Sequence, residues 1–396
     1  MAKTLLKLCL REIRRIVSDP RIITLLVCGP FAYAFIFGGV YWNGRTTNVP
    51  IIIVDQDHSR LSRELTTALR SSDSLSIVGF ANSPAELLPL ARREEAYACV
   101  MFPMNFERDV LAGRAPRVAV VLDASNVLIS GVAYRAAREV LGTYQIGADR
   151  RTLEATGIPN GSVAVISRPI IMTGRQLFNP TSNYSYFLLI GLVCAASQSV
   201  IRMITGMSVG LDSYAALRQS VNADLPSLPW LFATKVAGTC CLAIPVVFGA
   251  AASVLTLFGM PHRGSLLLIF SALAVYVVIH VCMGYGYYGL CKSYILSTHL
   301  HLYMAPVLFF LSGFTWPYYA MPSAIQAIVQ FVPIFHMNCI MRKVNLAGAT
   351  AGWVFPHILA LAVWLAVAYA WGYAAFKQWC KAQSIAPSPA ETPKVA

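Results

Sequence analysis

The sequence predicts an integral membrane α-helical protein with six spans and an extracytoplasmic mixed α/β domain inserted between spans one and two. Three observations carry this. Of the 396 residues, 57% are hydrophobic and only 12% are charged, against about 25% charged in an ordinary soluble domain, and the mean hydropathy is +0.59. Charge-free stretches long enough to cross a bilayer recur along the chain,. One polar block, Asn43 to about Asn183, holds 13 of the 18 acids. The same composition excludes disorder, and ten cysteines spread over so long a chain make no disulfide framework,. The net charge of +13 does not indicate nucleic acid, because the basic residues form no run interleaved with aromatics,.

Residues 1–20 read as a cytoplasmic amphipathic helix. Leu6, Cys9 or Leu10, Ile13, Ile16 and Val17 fall on one face, and Lys7, Arg11, Arg14 and Arg15 on the other. Such a basic helix lies in the membrane interface with its cations near anionic headgroups, and a plain topogenic anchor would look the same. Asp19-Pro20 ends it. Residues 21–42 are the first transmembrane helix. It is a retained anchor, because it is a full-length span without a small-residue cleavage site,.

Residues 43–183 form the extracytoplasmic domain, with 15 of the 31 basic residues, all of them arginine. Strand-like runs at Val49–Val54, Leu75–Phe80, Ala96–Phe102 and Val118–Leu122 alternate with helical patterns at Ser59–Arg70, Pro84–Arg92 and Asn105–Ala112. That rhythm argues for a mixed sheet. A long amphipathic helix then runs from about Asn126 to Ala155, with Leu128, Val132, Ala136 and Val140 as its apolar stripe,. Asp55-Gln56-Asp57-His58 invites a metal reading, but acids at a strand end more often cap the following helix, here from Ser59,. Glu94-Glu95 beside Arg92-Arg93 reads as a solvated helix end.

Residues 184–376 make a five-span membrane domain, and 377–396 a cytoplasmic tail. The remaining charge-free stretches are Tyr184–Ile201, Val236–His262, Gly264–Cys291, Ser293–Met341 and Val344–Phe376. The fourth of these, at 49 residues, contains Pro306, Pro317, Pro322 and Pro333 and is too long for one span. It reads as a span followed by an outer re-entrant hairpin at about 312–336, with Trp316, Tyr318 and Tyr319 in the headgroup belt and Ala324 to Phe331 re-entering,. A proline-kinked span with an interfacial loop is the alternative. Between the second and third spans, Asp212 or Ser213 could cap a short helix from Tyr214 to about Val221,. Outside the polar block, 13 basic residues fall on one side and three, Arg263, Arg342 and Lys343, on the other. The positive-inside rule then places both termini in the cytoplasm.

No G-x-x-x-x-G-K-[ST], H-E-x-x-H, C-x-x-C or G-x-S-x-G occurs,. His299-x-His301 reads as an interfacial pair, and Cys240-Cys241 as span packing. The charge-free segments hold no Asp or Glu; the acids outside the polar block are Glu12, Asp19, Asp212, Asp224 and Glu391, all expected in the cytoplasm. An ion-coupled carrier needs an intramembrane carboxylate, so energy for any transport is expected from a partner.

With six spans, a large insertion after the first and no nucleotide site, the chain resembles the type-2 permease subunits of bacterial ATP-binding-cassette exporters. The motifs are Ile51–Asp55 with Asp57-x-Ser59, Ala98–Pro103 with Phe106, Leu122-Asp123-x-x-Asn126, and Phe178-Asn179-Pro180. Most specific is Ser312-Gly313-Phe314-Thr315-Trp316-Pro317, followed by Met321-Pro322 and Gln330-Phe331-Val332-Pro333, which is similar to the family's outer hairpin. The chain departs from the family where a Glu followed by Gly-Thr usually stands: here Ile201 to Ser208 reads IRMITGMS, with Asp212 the nearby acid.

The resemblance implies a bacterial inner-membrane permease, not an enzyme, that moves a hydrophobic or amphipathic (drug-like or lipidic) substrate out of the cytoplasm or inner leaflet. Its partners would be a cytoplasmic ATP-binding subunit carrying ATP and Mg²⁺, a second permease subunit in a homo- or heterodimer, a periplasmic adaptor protein and membrane lipids, with no nucleic acid and no cofactor or metal in this chain. Arg11, Arg14, Arg15, Asp212, Ser213 and Tyr214 would couple to the ATPase, and Trp316, Pro317, Tyr318 and Pro322 would form the outer gate. The alternative is a membrane-anchored sensor or envelope assembly factor acting through the extracytoplasmic domain.

Overall fold

The computed structural model describes residues 2–42, 46–112, 114, 116–125, 127–155, 178–179, 183–219 and 226–385. Two compact units result, one from the chain up to residue 44 and from 177 onward, the other from Arg45–Gln176. Asn126, Pro180, Val221 and Asp224, and the tail beyond residue 385, lie outside the described residues.

In the second unit, β1 (Val49–Asp55), α3 (Arg60–Arg70), β2 (Leu75–Phe80), a 3-10 turn (Pro84–Glu86) with α4 (Leu87–Arg92), β3 (Ala98–Phe102), α5 (Phe106–Leu111) and β4 (Ala119–Leu122) follow the predicted alternation. The sheet order is β2-β1-β3-β4. β1 lies parallel to β2 and β3, while β4 is antiparallel to β3, which makes the sheet mixed. Because side chains alternate across a strand, β1 feeds two cores. Val49, Ile51 and Ile53 pack with Leu65, Leu69 and the long helix α6 (Val127–Ala155). Ile52 and Val54 pack with Leu87 and Cys99 on the other side. Of the predicted α6 stripe, Val132, Ala136 and Val140 pack on this core, joined by Ala133 and Ala137, while Leu128 is exposed.

The acidic turn after β1 is built differently from the capping expected of it. Ser59 caps α3, accepting from Ser62 N. Asp55 Oδ1 accepts from the amides of Asp57 and His58, and its Oδ2 from the Ser62 hydroxyl. Asp57 reaches across sequence to accept from Glu107 N at the start of α5. Burial opposes its ionisation, but these amide donors hold it below the ordinary carboxylate range,. Burial pushes the Cys99 thiol up to about 11, which makes it an inert packing group,.

The first unit is helical: α1 (Ala2–Ser18), α2 (Pro20–Val40), α7 (Tyr184–Gly210), α8 (Tyr214–Gln219), α9 (Leu228–Leu257), α10 (Leu266–Cys291), α11 (Tyr294–Phe310), a 3-10 turn (Tyr318–Ala320), α12 (Ser323–Val329), α13 (Pro333–Ala347) and α14 (Ala351–Ile385). Five of these, α2, α7, α9, α10 and α14, are long and apolar enough to cross a membrane among the described residues, or six if the bent pair α12–α13 counts as one span. α11, at 17 residues, is shorter. α7 is the most enclosed of the five and packs against α2, α10 and α11.

Several boundaries differ from the charge-based reading. Helices continue through charges once those charges are paired or buried, so charge-free length understates them. Arg202 lies inside α7 and Lys235 inside α9, both buried, rather than in a loop. Arg342 and Lys343 lie within α13, and the break before the last span falls at Gly348. α14 continues through residue 377 to Ile385, so the first part of the expected tail is helical.

Candidate functional site

α1 is amphipathic, and of the apolar face read from sequence Ile16 turns inward together with Leu8 and Glu12. These three are buried, while Leu6, Leu10 and Val17 are exposed. The helix packs on α9, where Gly238 admits it: a Cβ there would sit 2.8 Å from Glu12 Cβ and 3.1 Å from the Cys9 carbonyl oxygen. The close approach carries Glu12 into the bundle, where an isolated carboxylate would be very costly.

Its charge is met from three directions. Lys235 Nζ donates to Glu12 Oε2 at 2.7 Å. Arg15 Nη2 and the Ser208 hydroxyl donate to Glu12 Oε1 at 2.8 and 2.6 Å. The same Lys235 ammonium donates to Asp212 Oδ2 at 2.7 Å. Arg11 grips Asp212 with both terminal nitrogens, at 2.7 and 3.2 Å, the fork geometry that guanidinium and carboxylate share. Arg15 also donates to the Ser208 carbonyl at 2.6 Å and to the Ser208 hydroxyl. Burial opposes ionisation of both acids, yet Lys235 and the arginines hold Glu12 and Asp212 below the ordinary carboxylate range,. The same carboxylates outweigh burial at Arg15 and raise it.

Three cations and two carboxylates therefore join α1, the end of α7 and the start of α9. Of the predicted coupling residues, Arg11, Arg15 and Asp212 meet in this cluster. They do not face headgroups as the amphipathic reading expected, because the buried acids outcompete water for them. Arg14 stays exposed. Ser213 holds the N-cap position of α8 through its carbonyl, which accepts from Leu217 N, and its amide donates to Asp212 Oδ1. Tyr214 is half-buried against the core. Glu12, Ser208 and Lys235 were not singled out from sequence; a lysine in the first turns of an apolar helix was the available signal. The stretch Ile201–Ser208, expected in a loop, is helical, and the carboxylate beside it comes from Glu12 on α1.

At the hairpin, Gly313 takes a positive φ of +74° and turns Phe314 inward, where Gly191 of α7 leaves room for its ring. Pro317 opens the 3-10 turn and Pro322 precedes α12. Trp316 is exposed, with Nε1 donating to the Ala320 carbonyl at 3.2 Å. The Tyr318 ring lies against Phe335 and its hydroxyl accepts from Gln330 Nε2 at 2.7 Å. α12 and α13 then meet at 86°. A brace not foreseen from sequence fixes that corner. The Gln330 carbonyl can only accept and the Lys343 ammonium can only donate, which sets both ring tautomers. His336 Nε2 donates to Gln330 O at 2.9 Å, His357 Nδ1 to His336 Nδ1 at 3.2 Å, and Lys343 Nζ to His357 Nε2 at 3.2 Å.

The histidine pair expected at an interface is split: His299 is exposed and His301 is buried in the bundle. Of the adjacent cysteines, Cys240 is buried and Cys241 exposed. Among the described residues no group of three or more His, Cys, Asp or Glu could hold a metal.

The sequence pattern of the ABC-2 family transporter proteins matches residues 20–374, so the chain belongs to that family. Among similar proteins, the probable multidrug ABC transporter permease YbhR of Escherichia coli K12 is 23% identical over 378 residues, 93% of this chain and 96% of that protein. The probable multidrug ABC transporter permease YbhS of the same strain is 24% identical over 353 residues, 86% and 88%. The inner membrane transport permease YhhJ, also from that strain, is 22% identical over 377 residues, 91% and 93%.

Proposed function

We propose that this member of the ABC-2 transporter family is the permease subunit of an ATP-driven exporter in the bacterial inner membrane. It works as a homo- or heterodimer and moves hydrophobic or amphipathic molecules, drug-like or lipidic, outward. Separate cytoplasmic subunits bind ATP and Mg²⁺ and hydrolyse the nucleotide, so this chain is not itself an enzyme. Relatives named as multidrug and inner-membrane permeases, aligned over nearly the whole chain, support this reading.

The observation that carries it furthest is the ion-pair cluster binding α1 to α7 and α9. An amphipathic helix held by buried charge pairs cannot slide independently of the spans it grips, because separating them leaves charges unpaired. Force applied to α1 or α8 therefore reaches the first unit's core. In this reading Arg14 and Arg218, both exposed, contact the ATPase, whereas Arg11, Arg15 and Asp212 transmit. The hairpin with Trp316, Pro317, Tyr318 and Pro322 gates the outer exit, the α/β unit is extracytoplasmic and available to a periplasmic adaptor, and both termini are cytoplasmic.

The test is co-purification with a cytoplasmic ATPase, followed by ATP-dependent extrusion of a fluorescent amphipath from proteoliposomes. Efflux driven by membrane potential with no ATPase present overturns the reading. The sensor or assembly alternative gains if deleting 45–176 abolishes the cellular phenotype while extrusion in proteoliposomes persists.

A further inference from the structure

A second buried charge lies deeper in the helical unit, and among the described residues no carboxylate pairs with it. Arg202 of α7 is 2% exposed. Its Nε and Nη2 donate to the carbonyl and to Oε1 of Gln198, one turn earlier, and its guanidinium lies 5.8 Å from the centre of the Tyr287 ring. Among the described residues it makes no ion pair. A guanidinium cannot shed its proton in a protein, so this site keeps a full positive charge inside an apolar bundle.

The groups around it are donors to spare. Gln198 Oε1 already accepts from Arg202 and from the Tyr276 hydroxyl, while its Nε2 is buried and unpartnered. His280 of α10 is fully buried beside the Tyr276 ring, with both ring nitrogens unpartnered. His301 of α11 is buried edge-on to Tyr287, also with both nitrogens unpartnered. Two tyrosines tie these groups together: the Tyr287 ring under Arg202 also meets His301, and Tyr276, whose hydroxyl donates to Gln198 Oε1, meets His280 with its ring. Whatever its tautomer, each neutral imidazole carries one N–H. One fixed cation and three unused donor groups converge, and among the described residues no carboxylate receives them.

The third wall is loosely fastened. The only buried residues of α11 are Ser297 and His301, both polar and with no side-chain hydrogen bond among the described residues, and the rest of the helix is exposed or half-exposed. Buried polar groups without partners weaken the packing that holds a helix down, so α11 covers the site without being locked over it.

We propose that Arg202, His280, His301 and Gln198 form a seat for an anionic oxygen group, phosphate or carboxylate, on an amphipathic molecule that enters when α11 lifts. This deepens the exporter reading and rests on it: the substrate class becomes amphipaths with an acidic head. Removal of the charge from the ligand or from residue 202 must then abolish the preference.

The test uses the full chain purified in a nonionic detergent without any ATPase. Binding of dodecyl phosphate and of dodecanol, equal in tail and different in charge, is followed by tryptophan fluorescence. Wild type is expected to prefer dodecyl phosphate by about tenfold or more, as charge-assisted hydrogen bonds in a dry site do. Arg202→Gln abolishes the preference, and the control Arg108→Gln, at an exposed arginine of the α/β unit, keeps it. Equal binding of the two probes, or a preference that survives Arg202→Gln, overturns the proposal. Should Arg202→Gln not fold, His301→Phe, which retains a ring against Tyr287, is expected to weaken dodecyl phosphate binding and leave dodecanol unchanged; no change overturns it. Competition by phosphatidylglycerol assigns the seat to lipid headgroups, and its failure to compete assigns it to single-chain anions. Because no ATPase is present, a failure here leaves ATP-driven export of neutral amphipaths standing, and absence of ATP-driven extrusion leaves the binding result standing.

Discussion

Two buried charged regions occupy the same helical unit and are partnered in opposite ways. Around Glu12 and Asp212, three cations and two hydroxyl- or amide-donating neighbours face the carboxylate oxygens, so the charges nearly cancel within one cluster. Around Arg202 the cation has Gln198 and an aromatic ring, and the neighbouring histidines meet tyrosine rings but no hydrogen-bond partner among the described residues. The first arrangement is expensive to break and holds helices together. The second holds a charge in reserve, and a group brought from outside would gain from meeting it. Burial alone does not distinguish a joint from a binding seat; the balance of donors and acceptors does.

The sharpest way to break the comparison is to remove one cation from each region. Lys235→Met leaves Glu12 and Asp212 without the ammonium they share, and loss of one partner of a buried pair costs about 3–5 kcal/mol. Thermal unfolding of the detergent-solubilised chain should fall steeply or the variant should fail to express. Arg202→Met removes an unpaired buried charge, so the same assay should show no loss or a gain. A loss equal to that of Lys235→Met would show that both regions are structural joints.

Acidification gives the next effect. Glu12 and Asp212 are depressed in the fold from ordinary values of 4.5 and 3.8. A depressed carboxylate contributes stability that is present above its unfolded pKa and is lost as pH falls through its folded pKa. The melting temperature should therefore hold through neutral and weakly acid pH and drop only below the ordinary carboxylate range. A chain carrying Glu12→Gln with Asp212→Asn should lose that component of the pH profile, whereas Arg202→Met should retain it.

Smaller effects calibrate the scale. Ser59→Ala removes the N-cap of α3 in the α/β unit and should lower stability by about 1 kcal/mol, measured on the full chain by hydrogen exchange of the α3 amides. Arg21→Ala breaks a solvent-exposed pair with Asp19 and should leave the melting temperature unchanged, since exposed pairs contribute little.

Legibility in the sequence followed the range of the interactions. The β-branched run Val49–Asp55 and the cap at Ser59 are local, and the strand and helix starts fall within a residue or two of their patterns. Apolar length revealed α2, α7, α9, α10 and α14, but charge was a poor marker of their ends. Lys235 and Arg202 were assigned to a loop because an unpaired charge does not belong in a span, and a sequence does not display pairing. Asp57 was expected to serve the next helix and instead accepts from Glu107, 50 positions away. The candidate coupling residues were legible as residue types on a basic helix; their inward orientation was not.

By itself, the sequence determined a membrane protein with a separate α/β unit, because hydropathy and periodicity are sums over neighbours and need no fold to be read. Only the tertiary structure decided which charges are matched: Lys235 finds Glu12 across 223 positions, while Arg202 finds no carboxylate among the described residues. Electrostatic energy in a medium of low polarizability depends on separation in space, and the chain's order carries no record of that distance until the helices pack.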